Sequence, residues 1–453
     1  MKVSRYNIYY KNFVFNTRQR SQLSLPTHIT TALKNGNTDN FPQKLLRILS
    51  TTGIIVDEEI DERKLLRLWL HTYQTSSQVV SIAYLPTYEC NCRCVYCYED
   101  GVRKEYIDTS DFSIEVANHL VEWIKAIVHQ VRPLYLDFAF HGGEPLLVKD
   151  CLLDIASKIY SVVEQENIIP IFSIVTNGTL LTWDFVIEIR KYGFRRALVT
   201  LDGLPSYHDR RRPFITGEGT FYTILKNIKN ALKEGLEIVL GFNFDKQNYH
   251  HIPEFLDFVV KETLNEYPGF YMIFGAVRRG LTPSNKRYFD LYEVTKKEAA
   301  EITAWAYEEC LKRGIRIVDP LGMGLCTMKR VWTFTVDPYG KIFKCVTMVG
   351  HSTSFVGTIF EPIELIIQRI STIIETQPWE ELQACQECKY LPMCLNGCNE
   401  QALVKNAKTD CMKEYYNVFI PRAMELRAQR LRQFPDLIGR LRERSDALLH
   451  SYL

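Results

Sequence analysis

From residue 79 to residue 276 the chain repeats one unit, a short β-branched or aromatic run followed by an amphipathic stretch of helical period, and few folds accept that rhythm. The runs cover 79–85, 134–140, 170–175, 196–201, 237–244 and 270–276, and the spacing predicts helices over 110–131, 150–164, 182–192, 220–234 and 252–264. Strands joined through helices run parallel, and right-handed crossovers curl such a sheet around one core. Six units therefore predict a partial α/β barrel, with an open doubly wound sheet as the alternative. The polar punctuation follows the strands rather than preceding them. A cysteine-rich loop comes after the first, His141-Gly142-Gly143-Glu144-Pro145 after the second, Thr176-Asn177-Gly178-Thr179 after the third and Asp202-Gly203 after the fourth. Parallel sheets bind ligands at the carboxyl ends of their strands, so the site is expected there.

Thirteen cysteines are unevenly placed: four lie between Cys90 and Cys97, seven between Cys326 and Cys411, and only Cys151 and Cys310 stand apart. Met1 to Phe15 has no continuous apolar core of the secretory kind, and no run approaches the roughly 20 apolar residues of a membrane span. A cytoplasmic protein is expected, and a reducing compartment makes the cysteines metal ligands rather than a disulfide framework. A formal net charge of +2 offers no basic surface, so neither nucleic acid nor a membrane is expected as a partner.

Cys90, Cys94 and Cys97 form CxxxCxxC, three thiolates on a loop too short to supply a fourth ligand from the same turn. An iron-sulfur cluster held this way keeps one iron open to a small chelating molecule. Zinc is the competing reading, but zinc favours closed four-ligand sites, and a triplet after the first strand of a βα repeat, ahead of a glycine-rich turn, favours the cluster. Cys92 is read as a packing residue, because three ligands already surround it. Tyr98 stands beside the cluster, where it contacts adenine or joins the core. Gly142 and Gly143 let the backbone approach a ligand, and Glu144 can accept hydrogen bonds from an amino group.

These residues, together with Thr200-Leu-Asp202-Gly203, His208-Asp209, Arg212 and Gly219-Thr-Phe221, resemble the radical SAM superfamily. The resemblance implies that Cys90, Cys94 and Cys97 hold a 4Fe-4S cluster that binds S-adenosylmethionine. It also implies that Gly142, Gly143 and Glu144 hold the methionine amino group and that Thr200 and Asp202 lie against the cofactor. Arg212 either binds a carboxylate or braces its loop. Cys326, Cys345, Cys385, Cys388, Cys394, Cys398 and Cys411 resemble the SPASM extension, which carries two auxiliary 4Fe-4S clusters, three clusters in all. By that resemblance Cys385, Cys388, Cys394 and Cys411 close the second. Cys326, Cys345 and Cys398 are left for the first, whose remaining iron is open or is closed by Cys310, a histidine or a carboxylate.

The expected division is an N-terminal α+β module over 1–78, the barrel over 79–310, the cluster domain over 311–425 and a C-terminal helix over 426–453. The first module resembles the winged-helix-like domains that capture a leader segment, with a structural cap as the alternative. The resemblance as a whole implies a peptide maturase. A 5'-deoxyadenosyl radical takes hydrogen from a ribosomally made precursor peptide with a leader, and the substrate radical is oxidised to a thioether or other modified residue. A low-potential flavodoxin or ferredoxin would supply electrons. Sulfatase maturation and a non-peptide substrate are the other enzyme readings, the former disfavoured because Val346 follows Cys345 where sulfatase maturases carry Asp. A non-catalytic electron carrier or redox sensor is the reading outside enzymes.

Overall fold

The computed structural model describes residues 1–453 apart from 106–112, 282, 284, 323, 325, 376–377 and 439–453. Six parallel strands lie side by side in chain order: Val79–Tyr84, Tyr135–Phe140, Ile169–Thr176, Phe194–Thr200, Glu237–Phe244 and Phe270–Ala276. Each lies within two residues of its expected bounds at either end. The helices Ile114–Val131, Lys149–Gln165, Trp183–Arg190, Phe221–Lys233 and Ile252–Lys261 fill the crossovers. The expected start of the first helix, at residue 110, lies outside the described residues. Its ordered turn is set by Ser113, whose hydroxyl accepts from Val116 N–H.

Every residue of the first strand is buried, as is most of the second, so both faces of the sheet are covered and the hydrophobic runs are nearly continuous. The α/β architecture with a central parallel sheet is thus the one expected from the sequence.

The sheet does not stop at the first strand. Thr333–Val336 adds beside it in parallel, and Lys341–Phe343 and Phe355–Thr358 extend the same sheet antiparallel, making nine strands. The turn Asp337-Pro338-Tyr339-Gly340 closes that hairpin because Asp337 Oδ1 accepts from the N–H groups of Tyr339 and Lys341. Gly340 takes a positive φ of 76°. The helix Lys413–Gln433 packs along Lys296–Lys312. It starts thirteen residues before the expected C-terminal helix, and most of what was expected of that helix beyond residue 438 lies outside the described residues.

At the N-terminus, Asn7–Tyr10, Phe13–Asn16 and Ser21–Ser24 form an antiparallel meander, followed by helices Thr27–Lys34, Gln43–Thr51 and Glu62–Thr75. Tyr6, Leu66 and Leu70 bury themselves against Leu391 and Leu395, with Cys385 and Cys388 packed on the same cluster. Thr17 Oγ1 donates to the Lys389 carbonyl at 2.6 Å and Arg5 to that of Gln386 at 3.0 Å. Among the described residues no helix is long and apolar enough to cross a membrane.

Candidate active site

The loop from Thr87 to Cys97 leaves the carboxyl end of the first strand and is gripped from two sides. On one side, Gly143 N–H donates to the Thr87 carbonyl at 3.2 Å and Glu144 N–H to that of Glu89 at 2.7 Å. A β-carbon on Gly143 would stand 2.1 Å from the Glu89 oxygen, so only glycine allows this approach. The two glycines therefore press backbone onto the cysteine loop itself.

On the other side, Asn177 Nδ2 donates to Asn91 Oδ1 at 2.8 Å and points at Cys90 Sγ at 3.7 Å, while Asn91 donates to Thr179 Oγ1 at 2.9 Å. Asn227, from the helix Phe221–Lys233, donates to the carbonyls of Gly178 and Thr179 and fixes that turn in its place. Tyr88 adds a third anchor, donating to Asp337 Oδ2 at 3.0 Å.

Glu144 is wholly buried. Its Oε1 accepts from Thr176 Oγ1 at 2.7 Å and Leu146 N–H at 3.1 Å, and Oε2 accepts from Asn177 N–H at 2.7 Å. Burial pushes its pKa up to about 7, and the three donors oppose the shift. The carboxylate thus ties the turns after the second and third strands together.

Thr200 ends the fourth strand half-buried, and Asp202 follows it fully buried. Asp202 meets Tyr96, one of the two residues between Cys94 and Cys97. Tyr96 Oη donates to Asp202 Oδ2 and accepts from Arg212 Nη1 at 2.8 Å and Asn243 Nδ2 at 3.3 Å. The Arg211 guanidinium lies 5.0 Å from the Tyr96 ring centroid and pairs with Asp202 and Asp245 at 3.3 and 2.8 Å.

Burial works against the Arg212 charge, but Cys94, Tyr96 and Asp202 outweigh it and hold its pKa above the usual range. Arg212 reaches the cysteine loop through its hydrogen bond to Tyr96. His208 Nδ1 accepts from Asp202 N–H, which leaves Nε2–H to donate to Thr220 Oγ1, and that hydroxyl donates to the Arg212 carbonyl. Asp209 Oδ1 accepts from Thr220 and Phe221 N–H at the start of the next helix. The His-Asp-Arg and Gly-Thr-Phe segments are one scaffold behind Tyr96.

Tyr96 escaped the sequence reading, which singled out Tyr98. An aromatic residue inside the CxxxCxxC loop is a signal that was available. Tyr98 is half-buried, with Cys97 and Cys345 both near enough to act on its phenol, and it lines a small cavity with Glu99, Leu281, Val346 and Thr347. Cys92 is 2% exposed, bridges to Phe214 across an isolated antiparallel pair, and its backbone N–H points at Cys90 Sγ at 3.4 Å.

The remaining thiols separate into two groups. Burial, then Cys326 and Cys398, push Cys345 up to about 12. Burial, then Cys411, Cys388 and Cys385, push Cys394 up to about 11. Lys329, buried, faces Cys326, Cys394 and Cys398 and so stands between the groups. Cys310 is fully buried on the helix Lys296–Lys312, with Arg313 and Glu309 as its charged neighbours.

All thirteen cysteines are free thiols. Among the described residues no three Cys, His, Asp or Glu side chains converge tightly enough for a single metal ion. A four-iron cluster spreads its thiolates over a wider perimeter, and the three loop-borne groups suit that donor set.

Residues 84–259 match the radical SAM superfamily. The chain is 22% identical over 342 residues to the cysteine-type anaerobic sulfatase-maturating enzyme of Clostridium novyi, covering 71% of this chain and 88% of that one. It is 25% identical over 188 residues to the Fe-coproporphyrin III synthase of Methanosarcina barkeri, where the alignment spans 42% of this chain and 43% of the synthase. In three dimensions it is similar to Streptococcus suis SuiB bound to precursor peptide SuiA, with a TM-score of 0.54, 14% identity and coverage of 92% of this chain and 99% of that one.

Proposed function

We propose, on the premise that this chain is a radical SAM enzyme related to sulfatase maturases and peptide-modifying SPASM enzymes, that it matures a ribosomally made precursor peptide. The observation that carries the chemistry is the grip on the cysteine loop by the Gly142-Gly143-Glu144 turn, the Asn177 turn and the Asp202-Tyr96-Arg212 clamp. Cys90, Cys94 and Cys97 would hold the 4Fe-4S cluster. Gly142, Gly143 and Glu144 would bind the methionine end of S-adenosylmethionine, and Thr200 and Asp202 would line its other side. When bound, the cluster and cofactor supply a 5'-deoxyadenosyl radical that takes hydrogen from the substrate. The protein's part is to hold the three thiolates at a fixed spacing, with half-buried Tyr96 and Tyr98 flanking Cys97 in the chain and Tyr96 clamped by Asp202 and Arg212.

Cys326, Cys345 and Cys398 would hold one auxiliary cluster and Cys385, Cys388, Cys394 and Cys411 a second, a partition supported by the two groups of facing thiols. That both Cys97 and Cys345 act on Tyr98 supports an arrangement in which the first auxiliary group neighbours the catalytic loop. Residues 1–78 would capture the leader. Of the two outer strands of their sheet, Ser21–Ser24 is the less buried, and an incoming strand could add along it. The same module rests on the loop bearing Cys385 and Cys388, so a bound leader would sit next to the second auxiliary group.

The test is anaerobic incubation of reconstituted protein with dithionite, S-adenosylmethionine and a cysteine-containing peptide encoded by a neighbouring short reading frame. Formation of 5'-deoxyadenosine with a loss of mass from the peptide is expected. Cofactor cleavage without any peptide product, alongside activity on a sulfatase-derived peptide, would move the assignment to sulfatase maturation. No cleavage by fully loaded protein would leave an electron carrier.

A further inference from the structure

Glu400 follows Cys398 by two residues, on the short helix Asn399–Val404, and is 8% exposed. Its Oε2 accepts from Thr347 Oγ1 at 3.1 Å, and that same Thr347 oxygen lies 3.2 Å from Cys345 Sγ. The two contacts place Oε2 at most about 6 Å from Cys345 Sγ, close to the spacing of ligand atoms on neighbouring irons of one cubane. Oε1 is buried with no hydrogen bond. It faces Gly280, where even a β-carbon would stand 3.4 Å away, and the Leu281 amide and Gln401 side chain approach the carboxylate without meeting hydrogen-bond geometry at Oε1.

A buried carboxylate oxygen without a partner is costly, and one beside a three-thiol cluster site has an obvious partner in iron. We infer that Glu400 is the fourth ligand, through oxygen, of the cluster held by Cys326, Cys345 and Cys398. The inference rests on the reading that those three thiols hold a cluster.

The rival donors are less well placed. Cys310 lies in the hydrophobic core of the helix Lys296–Lys312, away from every other thiol named here. His351 lines the cavity near Thr347 and contacts Thr353 Oγ1 through Nδ1 at 2.7 Å, whereas Thr347 ties Glu400 directly to Cys345. The cationic Arg278 faces both Cys398 and Glu400, and Lys329 faces Cys326 and Cys398, so the extra negative charge of a carboxylate ligand is balanced locally.

The experiment uses the full-length chain with Cys90, Cys94 and Cys97 replaced by alanine, so that only auxiliary clusters are loaded. Iron and sulfide are counted, and electron paramagnetic resonance is recorded before and after brief ferricyanide oxidation. The parent should keep its cubanes. E400A and E400Q should each lose about one iron and show a three-iron signal, and E400C should restore four irons. If E400A loses the whole cluster, retention in E400C but not E400Q still assigns the ligand. Spectra and iron counts equal to the parent in E400A and E400Q, loss in all three variants, or loss of an iron from the parent would overturn it. C326A separates the two levels: it should lose about four irons, and an unchanged count would sink the cluster site and Glu400 together.

Discussion

Tyr96→Phe isolates the clamp on the catalytic loop. Phenylalanine keeps the ring, its packing and the Arg211 contact at 5.0 Å, and removes only the hydroxyl. That hydroxyl donates to Asp202 and accepts from Arg212 at 2.8 Å and Asn243 at 3.3 Å, so two of its three partners are ionic. A hydrogen bond to a charged group contributes roughly 1.5–3 kcal/mol, and leaving a buried partner unsatisfied adds to the loss. Asp202 keeps Arg211 and the Asn243 amide, which softens its share. A net loss of about 3 kcal/mol follows. If it falls wholly on placing Cys94 and Cys97 on either side of residue 96, cofactor cleavage should drop roughly hundredfold, at about 1.4 kcal/mol per decade. The assay is 5'-deoxyadenosine formed with saturating dithionite, read beside the iron content and the urea midpoint of the metal-free chain. Iron content should stay near the parent's, with the loss in rate or in S-adenosylmethionine affinity. Cleavage within threefold of the parent and an unchanged midpoint would refute the clamp.

Gly143→Ala should lower reconstituted iron and cofactor cleavage at least tenfold, since its β-carbon would meet the Glu89 carbonyl at 2.1 Å and the loop must move; normal iron loading would contradict this. Among the loop cysteines, C90A, C94A and C97A should each abolish cofactor cleavage while C92A, at a buried packing position, retains it with at most a modest fall in stability; an inactive but folded C92A would overturn the ligand assignment.

Burial raises Asp137 to about 7 from 3.8. The folded chain therefore binds a proton that the unfolded chain has lost, and stability should fall as pH rises from about 4 to about 7, by up to about 4 kcal/mol. D137N should flatten that slope in denaturant midpoints of the metal-free chain, and an unchanged slope would exclude Asp137 as its source. Leu25 N–H donates inward to Asn12, so by alternation the Ser24 N–H faces the open edge. Ser24→Pro should raise KM for a leader-bearing peptide about tenfold or more and leave peptide-free cofactor cleavage untouched; unchanged KM would point to another docking surface.

The docking of residues 1–78 also changes which experiments are informative. From the sequence, their deletion is expected to weaken turnover of a leader-bearing peptide and leave uncoupled cofactor cleavage, because the segment holds no ligand cluster. In the fold it would expose Leu391 and Leu395 and unseat the segment carrying Cys385 and Cys388. A truncation that loses iron would therefore not distinguish leader capture from support, whereas an edge substitution does.

What the sequence by itself determined is local in origin. The alternation of apolar runs and amphipathic stretches sets a parallel βα sheet, because a strand repeats every two residues and a helix every 3.6. The CxxxCxxC loop and the polar turns after the strands locate the site, because a parallel sheet presents all its carboxyl ends on one side. The tertiary structure decided the rest, through contacts between residues far apart in the chain. Tyr96 reaches Asp202 and Arg212, Tyr88 reaches Asp337, Thr347 joins Cys345 to Glu400, and Thr17 and Leu66 meet the segment around Lys389 to Leu395. Such pairings leave no periodic trace in the chain, since each depends on how crossovers and loops bring distant surfaces together rather than on the spacing of neighbouring residues. The partition of the seven C-terminal thiols was already implied by resemblance, whereas the buried carboxylate beside three of them became visible only once the chain was folded.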